Sequence, residues 1–370
     1  MKCSPLSTLT CVLLVLGVTA SVAATPTAFI PTNDAVILAR FPAASRQAGG
    51  RPARGASAAC ATNLPLALAT ARDAIRRARA EADPRILGLA QLALAPWLSH
   101  DLPPVDALVL RGTVRQSLHD FDGALQDLDA ALSRAPRHES ALLTKATIHV
   151  VRGEVPAART AAARLLTLVE PLTATVIIAQ IAELDGHGES AVRTLGSALS
   201  RQEPKPNDVP ADRLETVVWA TTTLAEMLDR RGRPSEAEHH FKAALGMAPT
   251  DPYLLGAYGD FLLDQRRPAE VLALLEGHER IDSLLLRMAE AQRAFKPGSE
   301  SAVIERLGER FDLARARGDR LHLREEARFH LRLRADRVTA HRLALENWAI
   351  QKEPADRRLM MESEPVSQQP

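Results

Sequence analysis

The residue types best suited to chemistry are two neighbouring histidines, His239 and His240, with Glu236 and Glu238 just before them. Glu236 and His240 are four apart, so on a helix they share a face and could offer two ligands to a weakly held metal ion. Adjacent histidines point about 100° apart on a helix, which favours a solvated surface over a shared ion. His187 stands in a Gly-His-Gly turn, Gly186 to Gly188, with no second donor near it in sequence. The chain carries no GxSxG, no P-loop, no GxGxxG after a strand and no HExxH. The expectation is a non-enzymatic protein with no catalytic residues, no metal site and no cofactor.

The first residues have the form of a targeting segment. Lys2 is a minimal positive start, Leu9 to Val18 an apolar core, and Val22-Ala23-Ala24 a small-residue cleavage pattern, so residues 1–24 read as a signal peptide. The apolar run is about 10 residues where a bilayer span needs about 20, so no membrane span is expected after cleavage. Cleavage removes Lys2 and turns the formal net charge of +1 into zero. No basic patch for nucleic acid or membrane is visible. Cleavage also removes Cys3 and Cys11, leaving Cys60 alone and excluding an internal disulfide. Richness in Ala and Arg suggests a GC-rich bacterial source, and hence secretion to the periplasm. Residues 25–61 comprise a short extended segment, Asp34 to Phe41, and an Ala/Gly/Arg/Ser/Pro-rich linker.

Beyond the linker the chain repeats. From Val105, small residues fall at Gly112, Ala124 and Ala131, with Pro136 closing the unit; from Val218 the same offsets hold Ala225, Ala237, Ala244 and Pro249. From Glu139 the ladder reads Ala146, Ala158 and Leu165; from Leu172, Ala179, Ala191 and Ala198; from Pro252, Gly259, Val271 and His278. Pro171 and Pro204 come one place late in their units. Small residues at positions 8 and 20 let two helices approach closely, and position 27 admits the next pair. A proline at position 32 cannot continue a helix. The pattern predicts helical hairpins stacked in series.

These offsets resemble the tetratricopeptide repeat family. The resemblance implies an all-α, right-handed superhelix, a solenoid of antiparallel helix pairs that binds protein or peptide partners. The usual aromatics at positions 4 and 11 are replaced, in the first unit by Leu108 and Arg115. The runs DPRILGLAQLALAPW (83–97), QSLHDFDGALQDLDAAL (116–132) and LALENWAIQKEPADRRL (343–359) are also similar to secreted bacterial tetratricopeptide proteins of unassigned function. Family members that clamp a chaperone's terminal carboxylate carry Lys, Asn and Arg at positions held here by Val109, Thr113 and Ile177, so that ligand is not expected.

The register divides the chain. A helical pair at 62–104 reads as a degenerate repeat; five units fill 105–281, with a proline-rich insertion near 203–215; irregular helices at 282–361 cap the array, and 362–370 form a disordered tail. Positions 2, 5, 9, 12 and 13 of each first helix should line a concave face. In the fourth and fifth units they include Trp219, Glu226, Asp229, Tyr253, Asp260 and Asp264, the candidate partner-binding residues. Two aromatics at equivalent positions would anchor a partner and the carboxylates would favour basic groups. The same rings could instead be buried between helices. The expected function is a periplasmic or secreted scaffold for a protein or peptide partner of unknown identity. The alternative is an accessory protein for a transport or metal-handling system, with weak metal binding by surface histidines.

Overall fold

Why the chain makes hairpins is visible at its turns. The computed structural model describes residues 59–201 and 211–365. The first pair is Leu64–Ala80 (α1) and Leu87–Leu98 (α2), joined through a short 3-10 turn at Pro84–Ile86. Then come Val105–Ser117 (α3) with Phe121–Arg134 (α4), Glu139–Val151 (α5) with Val155–Leu165 (α6), and Pro171–Leu184 (α7) with Gly188–Ser200 (α8). Ala211–Asp229 (α9) packs with Pro234–Met247 (α10), and Pro252–Asp264 (α11) with Pro268–Leu275 (α12). Asp282–Phe295 (α13) with Ser301–Ala316 (α14), and Leu323–Arg332 (α15) with Arg337–Ile350 (α16), follow; Pro354–Ser363 (α17) is the last helix described.

Position 15 of every unit in the 105–281 register sits in the left-handed region: His119 (φ 60), Gly153 (φ 67), Gly186 (φ 83), Gly232 (φ 68) and Arg266 (φ 56). One such residue reverses the chain between the two helices of a hairpin. Proline then opens the next helix at Pro171, Pro234, Pro252 and Pro268, where its missing N–H costs nothing.

The small-residue ladder lies where the helices touch. Ala124, Ala131, Ala146, Ala158, Ala225, Ala237 and Ala244 are fully buried. A Cβ added at Gly112 would meet Leu128 Cγ at 3.0 Å, so the α3–α4 crossing has no room for a larger residue. Consecutive first helices, α3 through α15, also touch one another, which makes them one inner wall.

Four boundaries differ from the sequence reading. Ala211 to Glu215, assigned to the insertion, are the first turns of α9, a stretch in which Ala211, Leu214 and Glu215 all favour helix; 202–210 lie outside the described residues. α12 stops at Leu275 because Gly277 turns left-handed (φ 84), which leaves His278 beyond the helix. Glu362 and Ser363 belong to α17 and not to a tail, and Ser363 is buried. Cys60, placed in the loose linker, is 3% exposed beside Ala67, Ala93 and Trp97, and the Trp97 indole donates to its carbonyl at 2.8 Å. The signal peptide, the extended segment and the linker up to residue 58 lie outside the described residues, as do 366–370.

Candidate functional site: the concave cavity

The inner wall bends around a cavity of about 700 Å³. Val150 reaches it from α5, Gln180, Glu183 and Leu184 from α7, and Glu226, Asp229 and Arg230 from the α9 segment. Tyr253, Gly256, Asp260, Leu263 and Asp264 follow from α11. These are positions 12 of the second unit, 9, 12 and 13 of the third and fourth, and 2, 5, 9, 12 and 13 of the fifth.

Five of the six candidate residues therefore face one space, and Trp219 does not. Its indole is half-buried, packed against the apolar clusters on both sides of α9. A large ring fills that seam better than a solvated wall. Tyr253 is different: the residue is 60% exposed, set inside the concavity where protein surrounds it but water still reaches it. Its hydroxyl donates to Glu226 Oε2 at 3.0 Å.

The electrostatics of the wall depend on residues far downstream. Asp260 accepts from Arg287 at 2.5 Å and from Arg328 at 2.6 Å. Burial alone would raise its pKa, but the two guanidinium groups outweigh it and hold the carboxyl at about 2. Asp264 is held by both terminal nitrogens of Arg358, at 2.5 and 2.7 Å. The expectation that these carboxylates favour basic groups needs correction, because α13, α15 and α17 bring arginines to them. Around the cavity nine carboxylates face seven arginines, a near balance.

Among the candidate residues Glu226 and Asp229 are the exceptions, since no arginine hydrogen-bonds either of them. Burial raises Glu226 to about 7 despite the attraction of Arg230 and the Tyr253 hydroxyl. Burial and the nearby Asp264 charge raise Asp229 too. The negative charge of Glu226, and then burial, push the Tyr253 phenol well above its usual range.

A family model for the tetratricopeptide repeat matches residues 109–171 and 222–283. Both matched stretches begin within first helices of the wall, and together they span the units whose small residues pack the hairpins. Residues 109–171 and 222–283 carry tetratricopeptide repeats. No curated protein matches it. Among solved structures it is similar to a tetratricopeptide repeat protein from Parabacteroides merdae ATCC 43184, at 15% identity over 80% of this chain and 98% of that one, with a TM-score of 0.39. It is also similar to the Cut9-Hcn1 hetero-tetramer of APC/C, at 14% identity over 74% of this chain, with a TM-score of 0.30; the chain spans 59% of that protein's length.

The other candidates sit apart from the cavity. Glu236 is engaged by Arg233, both contacts at 2.7 Å, so the pair it could form with His240 is taken. His239 and His240 meet edge to face, with ring centroids 5.4 Å apart. Burial, and then His239, lower the pKa of His240. Among the described residues no group of three or more His, Cys, Asp and Glu side chains could hold a metal ion.

Sequence reasoning missed the arginines of the C-terminal helices. Arg328 lies 68 residues from Asp260, and Arg358 lies 94 from Asp264. The loosened register beyond 282 hid which faces of those helices point inward.

Proposed function

We propose that this protein is a non-enzymatic, secreted periplasmic scaffold that holds a protein or peptide partner against its concave face. One observation carries the reading: first helices of successive hairpins present Tyr253, Glu226 and Asp229 into one open space, with Tyr253 60% exposed inside it. An aromatic that keeps its hydroxyl partnered while exposing its face is the kind of anchor partners use. Secretion is supported by Lys2, the apolar core Leu9 to Val18 and Val22-Ala23-Ala24. Among the described residues no helix is long and apolar enough to cross a membrane.

Affinity capture from periplasmic extract, run with and without a chelator, tests this. Capture should persist in chelator and fall at least about tenfold for Tyr253→Ala combined with Asp229→Asn, a loss of about 1.4 kcal/mol or more. Capture that survives both substitutions contradicts the concave-face reading. Capture that needs metal supports the metal-handling alternative instead.

A further inference from the structure

The concave cavity has a second wall made by the chain's own C-terminus. α15 is set in the core: Phe329, with Leu333 just past the helix end, lies in the main apolar cluster, and Phe311 packs on Phe329 at 5.3 Å between ring centroids. α16 and α17 are fastened to α15 by a small apolar core of Leu323, Ala327, Leu343, Ala344 and Leu359. A buried polar network reinforces it. Asp356 is 1% exposed and accepts from Arg324 at 2.9 Å and from Asn347 at 2.6 Å. These three helices therefore hold together as one body.

The far edge of that body is held differently. The turn between α16 and α17 reaches across the cavity to α5, where the Lys352 N–H donates to the Val151 carbonyl at 2.7 Å. Ile350 rests against the apolar cluster of the early repeats. Arg358 on α17 grips Asp264 at the end of α11, and the two side chains are 54% and 34% exposed. One side of the body is thus set in the core. The other is tied by the Ile350 contact, a single main-chain hydrogen bond and a solvated ion pair, and the two polar ties are ones that water and salt can replace.

We propose that α16 and α17 are a releasable clasp across the concave cavity, hinged at α15 and closed by Lys352 on Val151 and Arg358 on Asp264. A partner segment gains the cavity when those ties open. The partner's role rests on the scaffold reading above, whereas the closure is testable without any partner.

The experiment places a reporter thiol in the cavity, Gln180→Cys, in the full chain. Its reaction with a bulky maleimide is followed by peptide mass mapping, so that Cys60 is read separately. Lys352→Pro removes the donor of the first tie, and the extended Gln351 before it (φ −138, ψ 148) already suits a following proline. Arg358→Gln or Asp264→Asn removes the second tie from either side. Labelling at position 180 should rise about tenfold with Lys352→Pro plus Arg358→Gln, and equally with Lys352→Pro plus Asp264→Asn, a change of about 1.4 kcal/mol in the opening equilibrium. Equal rates in tied and untied proteins overturn the clasp. So does a rise accompanied by loss of helical circular dichroism, because the ties would then be part of the fold. Absence of any partner capture by the native chain, with labelling as expected, would sink the scaffold reading and leave the clasp.

Discussion

Tyr253 and Glu226 make the chemistry of the cavity legible at the scale of single residues. Burial makes the Glu226 carboxyl reluctant to ionise, and the one donor facing it is a phenol. A carboxyl whose folded pKa lies above its unfolded value stabilises the fold in its protonated form. Its contribution is complete below about pH 4.5 and is lost as the pH rises to about 7. Each pH unit in that window carries at most about 1.4 kcal/mol, and water in the cavity reduces it, so a total of about 1–2 kcal/mol is expected. Glu226→Gln keeps the acceptor for Tyr253 and removes the titration. Chemical denaturation at pH 5 and pH 8 should give the variant a gain over the native chain that is larger at pH 8; an equal difference at both would exclude the effect. Asp260 contributes in the opposite sense. Its pKa is depressed from 3.8 to about 2, so its stabilisation is lost only in strong acid, outside the Glu226 window.

At the scale of elements, the hairpins were readable because their constraints are local. Gly112, Ala124 and Ala131 sit at contacts set by positions within one unit, and a 34-residue spacing preserves them. The turns carried a further signal. Gly153, Gly186 and Gly232 share position 15, but His119 and Arg266 occupy it in the first and fifth units and break the pattern. A non-glycine residue there costs about 1–2 kcal/mol. Arg266→Gly should therefore raise the stability by about 1 kcal/mol, read as a higher midpoint in urea, since glycine adopts φ 56 freely; a lower midpoint would mean that the side chain contributes more than the strain removes. Trp219 shows where periodicity stops informing. Position 2 faced the cavity at Tyr253 but the seam between clusters at Trp219, and only the packing of neighbouring units distinguishes them.

Across the whole array, the cavity is a product of distance. Carboxylates from α9 and α11 read as an acidic wall in sequence, yet Arg287, Arg328 and Arg358 arrive from helices 27 to 94 residues later and turn it into a nearly balanced lattice of ion pairs. Nothing in a linear register encodes that return. Under the proposed concave-face reading, a partner would have to satisfy or displace paired charges, and would gain most where Tyr253, Glu226 and Asp229 stand without an arginine hydrogen bond.

The most direct test of the concave-face account is site-specific photocrosslinking in the intact protein within its native compartment. A crosslinker replaces Tyr253 in the cavity, and in a second protein it replaces Leu313, 60% exposed on α14 and absent from the cavity lining. The account predicts a discrete protein adduct from position 253 and none of the same mass from position 313. An adduct from 313 with none from 253 would contradict it.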